Sequence, residues 1–306
     1  MRIAIAGGLG LGYLLATGLS RAENAYNVVV LSRTPRREFA AFGIQVHVVD
    51  YHNKDTLRFA LNGIDLVIST ISGQEQLNLI NAAGHGRWSE GSTRMKWTVF
   101  SCGVFMERFH PYGLTASLGI GAGEGVGTVG SYVADINTGY ADYTAKDGKN
   151  SSVKICLTSV VDVVRFVIAA VDLGPSHWPA EFTMRGDKKS LRDVVHALEA
   201  AQNITFESHI LSYQDLLTHI AYNTEMGQYA RVAYLQRNLQ TANGRYDFSR
   251  TNLNDAVDRS SRVSVRPMSF AQWLATSLNF CDISGFEMLG RFYIERIRMY
   301  SVGITE

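Results

Sequence analysis

The chain has 306 residues, 46% of them hydrophobic, which is enough for one large α/β domain or a domain with a cap. Its 29 lysines and arginines nearly balance 28 aspartates and glutamates, which argues against a nucleic-acid-binding surface or an acidic scaffold. Cys102, Cys156 and Cys281 fit neither a disulfide framework nor a zinc spacing, and the eight histidines are scattered. We therefore expect a cytoplasmic protein without metal, nucleic acid or membrane; the oligomeric state stays open.

The stretch AIAGGLGLGYLL, residues 4–15, is apolar and rich in glycine. It has three possible interpretations: a signal peptide, a membrane span or a phosphate-binding turn. The glycines lower helix propensity, and NVVVLSR follows at 27–33 as a second strand. Strand, glycine turn, helix and strand within about 30 residues predict a βαβ unit.

Three glycines form the predicted phosphate-binding turn. Gly7, Gly10 and Gly12 leave room for a pyrophosphate to reach backbone N–H groups at the start of a helix. Their spacing, G-x-x-G-x-G, is one residue short of G-x-x-G-x-x-G. A glycine turn that binds nothing is the alternative interpretation.

The second strand ends in Ser32 and Arg33 rather than in an acid. An acid there would hold the ribose hydroxyls of NAD, whereas an arginine accommodates the 2′-phosphate of NADP. Arg33 therefore predicts NADP(H) as the cofactor. For Arg36 and Arg37 a solvated loop is the favoured interpretation.

The following elements alternate between strand and helix: strands at 44–51 and 65–72, with helices at 54–61 and 74–83. This order predicts a Rossmann-type α/β fold with a doubly wound parallel sheet. Residues at the carboxyl ends of such strands face the cofactor. The predicted set comprises Asp50, Tyr51, Ser69, Thr70, Ile71 and Ser72.

The second half of the chain predicts further elements. KWTVFSCGVF, 96–105, is expected to form a strand, and the glycine-rich stretch 119–130 a loop. A strand from 153 leads into a helix capped by Thr158 or Ser159, and Ser190 caps another helix. Helices are expected within 212–240 and after 265.

The glycine turn, VVVLSR, GIDLVISTISG, WTVFSCGVFMERF, LTSVVDVVRFV and VRPMSFAQWL occur in this order. Together they resemble the NmrA-like and isoflavone reductase-like proteins, an atypical short-chain dehydrogenase group, and most of all its fungal members. The resemblance implies a Rossmann domain over 1–150 that binds NADP(H), a smaller C-terminal α/β substrate region over 151–280, and a divergent tail over 281–306.

Site residues follow from the resemblance by position. Gly7, Gly10 and Gly12 would line the pyrophosphate, Arg33 would meet the 2′-phosphate, and Thr70 to Ser72 would lie beside the nicotinamide. The substrate cleft would be bordered by Cys102, Gly103, Phe105 and Met106.

A segment that relatives carry is missing near 84–95. Relatives continue with a strand resembling KRFAPSEFG and a helix with a catalytic lysine, whereas this chain has only GHGRWSEGSTR. About 30 residues are absent, enough for one strand and one helix. Either a divergent protein lost them or the sequence derives from a mis-spliced gene model. Tyr143 and Lys146 are too close for a Tyr-x-x-x-Lys pair, and a surface turn is expected there.

The resemblance favours an NADP(H)-dependent oxidoreductase acting on a small aromatic or polyketide-like metabolite in secondary metabolism. Without the lysine, the candidate proton donors are Glu107, His110 and Tyr112, each of which could equally be a polar loop residue. A non-catalytic NADP(H)-sensing regulator and a non-redox isomerase on the same fold remain alternatives.

Overall fold

A computed structural model describes residues 1–86, 96–111, 113 and 132–277. The strands are β1 Arg2–Ala6, β2 Asn27–Ser32, β3 Gln45–Val48, β4 Leu66–Ser69, β5 Val99–Ser101, β6 Val104–Phe105, β7 Val133–Asp135, β8 Tyr140–Tyr143, β9 Lys154–Thr158, β10 Glu181–Thr183, β11 Asp187–Ser190 and β12 Glu207–Ile210. The helices are α1 Leu11–Ser20, α2 Lys54–Ala60, α3 Gly73–Gly86, α4 Val160–Leu173, α5 Leu191–Gln202, α6 Tyr213–Glu225, α7 Tyr229–Ala242, α8 Asn252–Asp258 and α9 Phe270–Ser277.

The chain forms two compact units, one of Met1–Val99 with Val167–Ala180 and one of Phe100–Phe166 with Glu181–Glu306. These compact units do not follow the domain boundary that the sequence predicts near residue 150. That boundary stays a prediction. Residues 167–180 pack with the first unit, and Asp172 adds hydrogen bonds there. Asp172 accepts hydrogen bonds from Tyr26 (2.5 Å) and Asn24 (2.6 Å).

The first unit contains a four-stranded parallel sheet in the order β3-β2-β1-β4, as the alternation of strands and helices predicts. The strands at its centre are buried and rich in β-branched residues, which suits a parallel sheet covered on both faces. Within the described residues β4 is hydrogen-bonded to a strand on one side only. The α/β class and the Rossmann-type order of these strands are confirmed.

The strand predicted over 96–105 is interrupted in the structure. It forms two short strands, β5 and β6, which belong to different sheets. Gly103 between them has φ +70°, and a Cβ at that position would collide with the carbonyl oxygen of Cys156. The strand is broken where Gly103 lies close against β9. A local pattern of apolar residues does not indicate such a contact between distant parts of the chain.

The second unit contains two further three-stranded sheets, β11-β9-β6 and β12-β8-β7. Their core includes the fully buried Phe270 and Trp273, whose rings stack 6.0 Å apart on α9. The helix expected after residue 265 therefore packs back onto this unit. The prediction of a surface turn at Tyr143 is wrong, because Tyr143 is the last residue of β8 and is only 3% exposed.

Helix starts follow local capping chemistry. The Asn53 side chain accepts from Asp55 and Thr56 at the start of α2, and Ser159 accepts from the amide of Asp162 at the start of α4. Of the two caps expected for α4, the structure selects Ser159. No helix in the described part of the chain combines the length and apolar character that a membrane crossing requires.

Ser190 should contribute measurably to stability through its capping box on α5. Its hydroxyl accepts from the amide of Asp193 (3.1 Å), and that carboxylate accepts from the amide of Ser190 (3.3 Å). Ser190→Ala should lower the free energy of unfolding by about 1 kcal/mol in urea titrations, because an amide loses its acceptor. The exposed Ser264 provides the control, and equal losses in Ser190→Ala and Ser264→Ala would contradict the assignment.

Candidate functional site

The glycine turn joins the buried strand β1 to helix α1. Gly7 has φ +101° and Gly10 has φ +52°, conformations that a side chain disfavours, and Gly10 is the residue that caps α1. The amide of Gly7 donates to the carbonyl of Leu31 (3.0 Å), which fixes the turn to the end of β2. The first turn of α1 contains no acidic side chain, so the positive end of the helix dipole is not neutralised locally.

Gly12 is required by close packing beneath the turn. A Cβ on Gly12 would collide with the carbonyl oxygen of Gly7 and lie 2.8 Å from Oγ1 of Thr70. Thr70 is itself fixed, because its hydroxyl and its amide both donate to the carbonyl of Ala6 at 2.9 Å. A Cβ on Gly7 would lie 2.5 Å from the same hydroxyl and 3.2 Å from Cγ2 of Ile71. Five predicted residues, Gly7, Gly10, Gly12, Thr70 and Ile71, are thus brought together.

The other predicted cofactor residues lie at strand ends in the same unit. Ser32 is buried at the end of β2, where its hydroxyl accepts from the amide of Thr34 (3.4 Å). Asp50 is exposed and accepts from the amide of His52 (2.9 Å), and Ser72 is exposed after β4. Their roles toward a cofactor stay predictions.

Two arginines follow β2 and differ in their surroundings. Arg33 is 72% exposed and contacts Glu75 at 3.2 Å, so it is available from solvent. Arg36 is only 27% exposed, and the position of a Cβ on Gly8 lies 3.5 Å from its Cγ. Its Nε is buried and lacks a hydrogen-bond partner among the described residues, and its contact with Glu38 is long, at 3.8 Å.

Arg36 is a candidate that sequence reasoning assigned to a solvated loop. A buried guanidinium nitrogen without a hydrogen-bond partner, beside a glycine turn at a helix start, is the kind of group that an anion satisfies. The run SRTPRR carried the signal, but nothing in it distinguishes Arg36 from the exposed Arg37.

The residues predicted to border the substrate cleft lie around β5 and β6 in the second unit. Burial raises the pKa of the Cys102 thiol to about 12, which favours the protonated thiol over the reactive thiolate. Its carbonyl accepts from the hydroxyl of Thr158 at 2.7 Å. Met106 is fully buried and Phe105 is half-buried, which places part of the predicted lining in the core.

Glu107 occupies a structural position at the start of α4. It is fully buried, and both carboxylate oxygens accept from the amide of Val160, at 3.0 and 3.1 Å. Burial, helped by the nearby carboxylate of Asp162, raises the pKa of Glu107 to about 7 although these hydrogen bonds act to lower it. The geometry favours a helix-capping carboxylate over a proton donor to substrate.

The two remaining candidate donors differ in what the structure describes. His110 is 6% exposed, and burial lowers its pKa, which favours the neutral imidazole. Tyr112 and the tail over 281–306 lie outside the described residues, as does most of the segment 84–95. No group of three metal-ligating side chains occurs among the residues that are described.

The first unit has a Rossmann-type α/β architecture, with a glycine turn, a helix start that no side chain caps and polar strand ends on one sheet. No protein-family model matches the chain, and no curated protein matches it by sequence.

Solved structures share the fold. A quinone oxidoreductase from Escherichia coli, NADPH-dependent and determined with NADPH, has a TM-score of 0.59 at 18% identity over 89% of this chain and 98% of its own. A nucleoside-diphosphate-sugar epimerase from Staphylococcus aureus has a TM-score of 0.58 at 18% identity, and the match covers 90% of this chain and 99% of the epimerase. An isoflavone reductase has a TM-score of 0.58 at 15% identity, and the match covers 89% of this chain and 98% of the reductase. The resemblance to isoflavone reductase-like proteins is confirmed at the level of the fold.

Gly12→Ala should disrupt the turn. The new methyl group overlaps the Gly7 carbonyl and crowds Thr70, so about 1–3 kcal/mol of unfolding free energy should be lost. Gly84→Ala is the matched control, because Gly84 lies on α3 with open space around its Cβ position and should gain up to about 1 kcal/mol. Urea unfolding of both variants tests the packing, and equal stabilities would contradict it.

Glu107 should make stability depend on pH. The folded chain binds the Glu107 proton more tightly than the unfolded chain, whose pKa is near 4.5, so stability should fall as pH rises from about 4.5 to about 7 and level off above. The shift corresponds to about 3 kcal/mol. Glu107→Gln should remove this dependence, whereas the exposed Glu225→Gln should not. A stability difference between wild type and Glu107→Gln that is constant from pH 4.5 to 8 would exclude the assignment.

Proposed function

We propose that the first unit binds NADP(H) and that the chain is an NADP(H)-dependent oxidoreductase acting on a small aromatic or polyketide-like metabolite of secondary metabolism. The observation that carries the proposal is the glycine turn, in which Gly7, Gly10 and Gly12 keep side chains away from the start of α1. The NADPH-bound quinone oxidoreductase of the same fold supports the choice of cofactor.

The residues present fit a dinucleotide phosphate. The backbone at the start of α1 would accept the pyrophosphate, since the helix dipole favours an anion and no acidic side chain competes there. Gly12 and Thr70 would maintain the shape of the turn through their close contact. Arg33 and Arg36 would bind the 2′-phosphate, Arg33 from the exposed side and Arg36 through its unsatisfied Nε.

When bound, the cofactor would supply the hydride. The chain's own groups would have to manage the proton, and the described candidates serve this poorly because Glu107 is bonded to α4 and His110 is buried. A quinone acceptor needs the least help, because hydride addition yields a phenolate-type oxygen that water can protonate. An isolated ketone yields a far more basic alkoxide, and a placed donor is then worth about 10²–10⁴ in rate.

We therefore expect NADPH oxidation to proceed faster with quinones than with isolated ketones of similar size. The measurement is loss of NADPH absorbance with matched quinone and ketone panels. Ketone turnover equal to quinone turnover would show that a proton donor acts in this chain. A non-catalytic NADP(H)-binding regulator is the second candidate, favoured by the burial of Glu107, and tight NADPH binding without turnover on any acceptor would select it.

The cofactor assignment predicts a preference for NADPH over NADH. An arginine–phosphate contact should favour NADPH by about 1.5–3 kcal/mol, or roughly tenfold or more in Kd. Arg33→Ala and Arg36→Ala should each reduce this preference in calorimetric titrations, whereas Arg37→Ala, on an exposed neighbouring side chain, should retain it. Equal Kd values for the two cofactors in the wild type would refute the phosphate assignment.

A further inference from the structure

The exposed guanidinium of Arg33 has an acidic partner from a distant part of the first unit. Its Nη1 donates to Oε1 of Glu75 at 3.2 Å, and Glu75 lies in the first turn of α3. The two residues are 42 positions apart, so the fold rather than the local sequence creates the pair. A carboxylate thus neutralises the guanidinium that the proposed function assigns to the 2′-phosphate.

Hydrogen bonds between α3 and two strand ends hold Glu75 in this place. Asn78, about one helical turn after Glu75, donates to the carbonyl of Tyr51 at 3.0 Å. The buried Tyr51 hydroxyl donates in turn to the carbonyl of Leu31 at 2.9 Å, and Leu31 lies two residues before Arg33. The carboxylate is also the less exposed partner, since the Glu75 side chain is 25% exposed and that of Arg33 is 72% exposed. The acid is therefore held by its surroundings, and the arginine is the partner that can move.

The same hydrogen bonds connect this ion pair to the glycine turn. The Leu31 carbonyl that accepts from Tyr51 also accepts from the amide of Gly7 at 3.0 Å. An anion bound by Arg33 would meet the negative charge of Glu75, because both groups would use one guanidinium. Arg36 is less opposed, since its contact with the carboxylate of Glu38 is 3.8 Å long.

We infer that Glu75 is a specificity-determining residue, whose carboxylate competes with the 2′-phosphate of NADPH for Arg33. It holds the preference for NADPH below the value that the arginines alone would give. NADH carries a neutral hydroxyl where NADPH carries the phosphate, and a carboxylate accepts a hydrogen bond from such a hydroxyl. The competition therefore acts on NADPH alone. The inference rests on the proposed function, because it concerns the same cofactor site.

Calorimetric titration of the full chain with NADPH and with NADH tests the inference. Glu75→Gln keeps the size of the side chain and removes its charge, so the Kd for NADPH should fall about fivefold or more. The Kd for NADH should stay the same or rise. Glu23→Gln is the matched control, because Glu23 is an exposed acid of the same unit just beyond the other end of α1. It makes the same change in net charge and should leave the ratio of the two Kd values unchanged.

A double variant separates competition for Arg33 from a general effect of charge. Glu75→Gln should improve NADPH binding less in an Arg33→Ala background, because no guanidinium is left to release. An equal improvement in both backgrounds would overturn the inference, as would a ratio of Kd values that is the same in wild type, Glu75→Gln and Glu23→Gln. Both results leave the proposed function standing. If wild type and Glu75→Gln unfold cooperatively in urea but neither binds NADPH, the proposed function and this inference both fail.

Discussion

The first unit depends on one close contact, that of Gly12 with the carbonyl of Gly7 and the hydroxyl of Thr70. This contact joins three elements, because Gly7 follows β1, Gly12 lies in α1, and Thr70 follows β4 and bonds back to Ala6. No residue with a Cβ fits at Gly12 without moving backbone. The same lack of side chains leaves the start of α1 open to an anion, so one steric constraint determines both the packing of the unit and the character of its candidate site.

Much of the first unit was predictable from the sequence because its determinants are local. Buried β-branched runs define β1 and β2, and Asn53 begins α2 through hydrogen bonds to amides two and three residues away. The glycine turn was predictable for the same reason. Its role toward a cofactor was not, since glycines required for packing and glycines required for phosphate binding look alike in a sequence.

The features that the sequence did not reveal depend on contacts between distant residues. Gly103 breaks the strand expected over 96–105 because Cys156, 53 positions away, lies against it. Glu107 suited a proton donor by its position after an apolar strand, yet its carboxylate binds the amide of Val160. Arg36 and Arg37 are adjacent and chemically identical, and only the packing of the chain places one beside Gly8 and leaves the other in solvent.

Glu107 and Arg108 show why the chemistry has to be argued from individual side chains rather than from the fold. They are neighbours on one 3-10 turn, but the carboxylate accepts hydrogen bonds from the first amide of α4, whereas the guanidinium lies against the Tyr132 ring. An acid so placed holds the structure together and gives little to a reaction. The acid on this turn therefore supplies structure rather than a proton, and the proposed reaction best suits a substrate whose reduction needs no strong acid.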